Sequence, residues 1–280
     1  MPQVAFVTCV ELPEPDPDEQ VLMDACRDAG LDAALAAWDD PAVDWASFDL
    51  AVVRSTWNFY ECEHAFRHWI ERTDEATRLL NPASLMLRTI DKTYLAELER
   101  SGVPVVPTHF LAPSENIEEV VTERGWDRFV LKPTVSAGSY MTERFSLDSL
   151  AQAGEFAASL SRTHKVMVQP YMSAVERGGE VALNHVDGEL THGVLKSPRF
   201  VGQEESVSSA ITPSSEQRAV AEKVMETIGE AWLYARIDLM ADEDGEWLLS
   251  EMEVIEPSLF FLQHRPAMER FIAALQRLLS

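Results

Sequence analysis

The sequence predicts an α/β protein, with an N-terminal layer of parallel strands covered by helices and a mixed α+β half built on hairpins. Three observations predict it. Short apolar runs at 4–9, 31–37 and 50–53 alternate with helical spacing at Val21, Leu22, Cys26 and Ala29, and at Phe66, Trp69 and Ile70. Such alternation packs as a parallel sheet covered on both faces. Two Asp-Gly pairs, Asp187-Gly188 and Asp244-Gly245, mark hairpins further on, because both central residues of a type I′ turn need positive φ. The 280 residues, 46% hydrophobic and 25% charged, suffice for a sizeable core and two or three packed modules and disfavour disorder.

The elements follow in order. The run 4–9 lacks a basic segment before it, so it reads as a first strand and not as a signal peptide. A loop rich in Pro, Asp and Glu leads to a helix over 19–29, ended by Gly30. Strands over 31–37 and 50–53 and a helix over 63–72 complete a first module at 1–86. A helix over 91–100 stops at Ser101-Gly102, and Pro104 and Pro107 then impose extended chain. A helix over 114–123, a strand over 129–131, a helix over 147–160 and a strand over 166–169 make a middle module at 87–171. The last module, 172–280, holds the two hairpins, a helix over 215–229 between them, and a closing amphipathic helix over 266–279.

Charge excludes some partners. With 23 basic and 47 acidic residues the formal charge is −24, which repels nucleic-acid backbones and anionic lipid. A chain this acidic that handles an anionic ligand must gather its cations locally. Cys9, Cys26 and Cys62 form no C-x-x-C pair, as in a reducing compartment, and a cytoplasmic location is expected. No apolar run reaches transmembrane length.

The acidic hairpin carries the sharpest chemistry. With Asp244-Gly245 as a two-residue turn, Glu243 faces Glu246, Asp238 faces Glu251 and Arg236 faces Glu253. Alternation then puts Arg236, Asp238, Glu251 and Glu253 on one face. Three clustered carboxylates suit a divalent cation with oxygen ligands, magnesium beside phosphate above all. The alternative is a solvated Arg236–Glu253 pair. Lys132 ends a strand, and the loop after it, 134–140, is small and hydroxylic (Ser136, Gly138, Ser139). It suits backbone approach to a phosphate, or an ordinary surface turn. Lys92 falls in the first turn of the 91–100 helix, where the dipole disfavours a cation. Lys196 closes the strand after Asp187-Gly188, with Arg199 close behind. Arg54, Ser55, Thr56 and Asn58 follow a strand, where open α/β sheets bind ligands. They read as a substrate cluster, Arg54 taking a carboxylate, or as caps for the next helix. Trp57, Phe59 and Tyr60 read as packing, and His64 and His68 as surface histidines.

In order, Asn81-Pro82, Asp91-Lys92, Gly102-Val-Pro104 with Thr108, Val130-Leu-Lys-Pro133, Val168-Gln-Pro-Tyr-Met172, Gly179-Glu180, Arg236-x-Asp238 and Glu251-x-Glu253 resemble the ATP-grasp superfamily. The resemblance implies an N-terminal α/β pre-ATP-grasp domain followed by a two-part ATP-grasp fold. It implies ATP held at its phosphates by Lys92 and Lys132 under the 134–140 loop. Gln169, Pro170, Tyr171 and Met172 would be the adenine hinge. Glu176 or Glu180 would hold the ribose, Glu176 being preferred. Asp238, Glu251 and Glu253 would be Mg2+ ligands, and Arg236 and Lys196 would act at the transferred phosphate. Most of the superfamily has Glu-x-Asn where this chain has Glu251-Met-Glu253. That change and the tail to Phe260 resemble a subgroup of small bacterial natural-product ligases, the D-cycloserine-forming ligase among them.

The implied function is ADP-forming C–N ligation or ring closure of a small amino-acid-like substrate through an acyl-phosphate, with O-ureidoserine one candidate. A small-molecule kinase would instead leave a stable phosphorylated product, and a non-catalytic ATP-binding regulator would show no turnover. A homodimer is one option among relatives.

Overall fold

The computed structural model describes residues 3–197, 206–229 and 231–280. Three sheets of four strands each make the framework. In the first, β1 (Gln3–Thr8), β2 (Asp32–Ala37), β3 (Leu50–Val53) and β4 (Arg78–Leu80) run parallel in the order β2-β1-β3-β4. Helices α1 (Glu19–Asp28) and α2 (Glu63–Ala76) cover opposite faces, because alternate residues of β1 and β3 belong to different cores. Val4, Phe6, Leu50 and Val52 pack with Leu22 and Cys26 of α1. Ala5, Val7, Ala51 and Val53 pack with Phe66, Trp69 and Ile70 of α2.

After β4 come α3 (Ala83–Thr89) and α4 (Tyr94–Arg100). The second sheet has order β5-β8-β6-β7, built from β5 (His109–Leu111), β6 (Arg128–Pro133), β7 (Glu143–Ser146) and β8 (Val166–Pro170). Its outer face packs on α5 (Ile117–Arg124) and α6 (Leu150–Leu160) through Phe129, Leu131, Val166 and Val168. After the short α7 (Val175–Gly178), the third sheet is antiparallel with order β10-β9-β11-β12. Its strands are β9 (Glu180–Val186), β10 (Glu189–Lys196), β11 (Tyr234–Ala241) and β12 (Trp247–Glu253). Helix α8 (Ser215–Ile228) covers one face, where Val224 and Ile228 meet Leu183, Ile237 and Met252. Helix α9 (Arg265–Leu278) returns to the first sheet beside α1, packing Phe271 near Phe6. Among the described residues no helix is long and apolar enough to cross a membrane.

Several expectations are corrected. The 91–100 helix starts only at Tyr94, so Lys92 lies in the turn before it and not in its first turn. Asp187 and Gly188 both have positive φ, 50° and 80°, as a type I′ turn requires, but at the second hairpin only Gly245 does. There the turn spans Asp242 to Glu246, whose backbones pair at 3.0 Å, so Glu243 does not face Glu246. A bulge beside Asp238 absorbs the one-residue shift and restores Arg236 opposite Glu253 and Asp238 opposite Glu251. The short strands β4, β5 and β7 and helix α3 escaped the sequence reading. Strands of three or four residues and a helix of seven carry too weak a periodic signal.

Candidate functional site

The site is the crevice between the second and third sheets. Alternation on the third sheet aligns His192, Asn184, Arg236 and Glu253 in one row, and Val194, Ala182, Asp238 and Glu251 in the next. The intervening Leu183, Ile237 and Met252 are buried under α8. On β6, Phe129 and Leu131 face outward to α5 and α6, which turns Val130 and Lys132 into the crevice. On β8 the same alternation sets Gln169 opposite Val130 and Met167 opposite Lys132.

Cations and carboxylates interleave across this crevice. Lys132 Nζ lies 2.9 Å from Glu251 Oε1 and Lys92 Nζ lies 3.8 Å from Glu251 Oε2. Lys196 Nζ reaches Asp238 at 2.7 Å and Glu180 at 3.0 Å. Arg236 donates to both Asp238 oxygens, at 2.8 and 2.9 Å, and to Glu253. Burial pushes the Glu251 carboxyl up, but Lys132 and Lys92 outweigh it and hold the group at about 2. For Glu253 burial wins over Arg236, and the carboxyl rises to about 7. Asp238 stays low because Arg236 and Lys196 overcome its burial. The solvated-pair alternative for Arg236 and Glu253 is set aside, since Arg236 is 7% exposed and shared with Asp238.

The donor chemistry of Asp238, Glu251 and Glu253, hard oxygens on one face of one hairpin, fits a hard divalent cation. Among the described residues no three His, Cys, Asp or Glu side chains form a ready-made metal cage, and each of these carboxylates is paired with a cation.

The loop 134–140 joins β6 to β7. Lys92 holds it, donating from Nζ to Ser136 O at 2.7 Å and to Ser136 Oγ at 3.2 Å, while the Lys92 backbone N–H binds Thr134 O at 2.9 Å. Gly138 and Ser139 both have positive φ. Tyr140 packs its ring 4.4 Å from that of Tyr60 in the first module. At the end of β8, Gln169 is buried and donates to Thr108 Oγ1 at 2.9 Å. Pro170 closes the strand, Tyr171 N–H binds Arg128 O at 2.8 Å, and Met172 O accepts from Val175 N–H at 3.1 Å. Glu176 is exposed and accepts from Tyr171 Oη at 2.7 Å. Glu180 faces the crevice beside Lys196. The structure thus brings together Lys92, Lys132, Ser136, Lys196, Glu180, Arg236, Asp238, Glu251 and Glu253, while Glu176 stands beside Tyr171 and Arg128 just past the end of β8. Arg199 lies outside the described residues.

The cluster after β3 is buried. Ser55 Oγ donates to Thr8 Oγ1 at 3.0 Å, and Asn58 pairs with Asp39 and Trp38 at 2.8 and 2.7 Å. Thr56 Oγ1 has no hydrogen-bond partner among the described residues. Arg54, 3% exposed, donates to Pro257 O at 3.1 Å and sits 3.8 Å from Asp16. These residues do not cap α2, which starts after Cys62 without a side-chain cap. The sequence reading did not single out Glu256, which is buried three residues beyond Glu253. The available signal was its place in the tail after Glu253.

A family profile described as the N-terminal domain of D-cycloserine synthetase DcsG matches residues 4–81. The chain is 32% identical over 291 residues to the cycloserine biosynthesis protein DcsG of Streptomyces lavendulae, covering 97% of both chains. It superposes on the crystal structure of D-cycloserine synthetase DcsG with a TM-score of 0.90 over 99% of both chains, at 32% identity. Two more distant structures share the fold. The ATP-grasp ligase PsnB, complexed with a phosphomimetic variant of its minimal precursor, Mg and ADP, is 18% identical, with a TM-score of 0.66 over 98% of this chain and 99% of that one. D-alanyl-alanine synthetase A of Vibrio cholerae is 12% identical, with a TM-score of 0.68 over 99% of this chain and 97% of that one.

Proposed function

The chain belongs to the family of D-cycloserine synthetase DcsG and is an ATP-dependent, ADP-forming ATP-grasp ligase, and from that premise we propose that it closes a ring within a small amino-acid-like substrate, as in cycloserine formation from an O-ureidoserine. The observation that carries this reading is the interleaving of Lys92, Lys132, Lys196 and Arg236 with Asp238, Glu251 and Glu253 in one crevice.

A carboxylate is a poor electrophile until its oxygen bears a good leaving group. In the proposed reaction a substrate carboxylate oxygen attacks the γ-phosphorus of ATP, and ADP departs. A nitrogen of the same molecule then attacks the acyl carbon. The C–N bond forms, the bond to phosphate breaks and the nitrogen loses its proton. With an O-ureidoserine, water must also remove the carbamoyl group on that nitrogen, as carbon dioxide and ammonia, to give cycloserine. Catalysis of such transfers is largely positioning and charge neutralisation.

Lys92 and Lys132 hold the ATP phosphates, and swinging from Glu251 to phosphate frees that carboxylate. Ser136, Gly138 and Ser139 bring backbone N–H groups over the phosphates and exclude water. Gln169 to Met172 line the adenine. Glu176 takes the ribose, a choice supported by its more exposed place beside Tyr171 and Arg128, whereas Glu180 is closed against Lys196. Arg236 and Lys196 stabilise the transferred phosphoryl group. Asp238, Glu251 and Glu253 would hold magnesium, which would neutralise negative charge on the phosphates.

The test measures ADP and phosphate release with Mg-ATP over a panel of amino acids and O-ureidoserine, with product masses read in parallel. ADP with equimolar free phosphate and a cyclised product supports the reading. A product heavier by one phosphate, stable over time, would sink it in favour of a kinase.

A further inference from the structure

Glu256 lies three residues beyond Glu253, where the chain leaves β12, and is 9% exposed. Its backbone is pinned from several sides. Trp57 Nε1 donates to Glu256 O at 3.0 Å, Arg54 Nη1 to Pro257 O at 3.1 Å, Tyr234 Oη to Ile255 O at 2.8 Å and Asn81 Nδ2 to Val254 O at 2.8 Å. Arg236 Nη1 reaches Ser258 O at 3.5 Å just beyond. This segment therefore runs where the carboxyl end of β3 meets the end of β12, the part of an open α/β sheet where ligands bind.

The other carboxylates of the crevice, Glu180, Asp238, Glu251 and Glu253, each close on a cation. Among the described residues the Glu256 carboxyl meets no side-chain donor. The charges that act on it are Glu253, Lys92 and Arg236, the charges of the site itself. Burial first and Glu253 second push it up to about 8. Its own backbone N–H is the donor that favours the charged form. A buried carboxylate with no cation beside it remains costly, and a ligand cation removes that cost.

We propose that Glu256 receives the ammonium group of the substrate, which makes the substrate an amino acid with a free amine beside the carboxylate that is activated. The inference rests on the ligase reading above. An activated carboxylate must sit by Arg236 and Lys196. An α-ammonium next to it then needs an anion at the rim of the same cluster, and Glu256 is the carboxylate there that no cation closes.

The experiment compares wild type, Glu256→Gln and Glu256→Ala by calorimetry in the presence of magnesium and a non-hydrolysable ATP analogue. The probes are O-ureidoserine, serine and the desamino analogue of each. Wild type is expected to bind the amines about 10- to 100-fold tighter than the desamino forms, the range for a hydrogen bond to a charged group. Both variants should erase that preference and keep the affinity for the ATP analogue. In steady state the KM for the amino acid should rise and that for ATP stay. Glu256→Gln keeps the shape and removes only the charge, so thermal unfolding should match wild type. Retained preference in Glu256→Gln, no preference in wild type, or no binding of any probe to wild type would each overturn the assignment. An amine preference lost in the variants, with no ADP formed from any probe, would leave Glu256 assigned and remove the ligase reading. Turnover with unchanged preference in the variants would do the reverse.

Discussion

Lys132 and Glu251 stand on strands of different sheets, yet their charged ends meet at 2.9 Å. Each is held low in exposure, 12% and 24% for the side chains, so the pair is screened less than a surface ion pair. Lys132→Ala and Glu251→Gln should each lower kcat by at least about 100-fold, a typical loss for a group acting on transition-state charge. Circular dichroism should stay unchanged. Turnover within tenfold of wild type in either variant would remove that residue from the site. Asn81 acts differently. It is fully buried and makes four hydrogen bonds, donating to Tyr234 O and Val254 O and accepting from the N–H groups of Leu233 and Tyr234. It ties the end of the first sheet to the third. Asn81→Ala leaves those buried backbone groups unpaired and should cost about 2–4 kcal/mol, read as a lower urea midpoint with an unchanged m-value.

At the scale of elements, the charged face depends on the register of β9 and β10. Gly179 opens β9 with φ +72°, and a Cβ there would lie 2.7 Å from Lys196 O. That oxygen is backbone, so the strand must move. Gly179→Ala should destabilise by more than about 1 kcal/mol and displace Lys196 from Asp238 and Glu180, lowering kcat as well. Gly154, inside α6, offers the control. Its added Cβ would touch Ile117 Cγ2 at an ordinary 4.0 Å, and Gly costs about 1 kcal/mol against Ala in a helix. Gly154→Ala should therefore stabilise by about 0.5–1 kcal/mol and leave turnover alone. Equal effects of the two substitutions in a denaturation series would refute the register argument.

For the whole molecule, protons couple buried groups to stability. His185 and His192 are 4% and 2% exposed, and burial pulls both down to about 4 from the usual 6.5. The unfolded chain takes up protons near 6.5 that the native state refuses. Their contribution is complete above that pH and is lost as pH falls through 6.5 towards 4. The raised carboxyls of Glu253 and Glu256 act in the opposite sense, because the native state keeps protons that the unfolded chain releases. The difference between wild type and a His185→Gln or His192→Gln variant isolates the histidine part. Measured by urea unfolding without magnesium, that difference should shrink by about 2–3 kcal/mol per site between pH 7.5 and 4.5. A difference independent of pH would show that the histidines charge without cost.

The sequence by itself determined the α/β class, the long elements and the pairing of Arg236 with Glu253 and Asp238 with Glu251. Periodicity and alternation are local properties and survive a misjudged turn. It also named Lys92, Lys132 and Lys196, since strand ends and small-residue loops leave a mark in residue order. Only the tertiary structure decided which cation closes which carboxylate, because Lys132 and Glu251 are 119 positions apart and meet through the packing of two sheets. It likewise decided that Ser55 and Asn58 are tied to Thr8, Asp39 and Trp38, and that Glu256 is buried with no cation paired to it among the described residues. Those outcomes depend on what surrounds a side chain in space, and residue order does not carry that information.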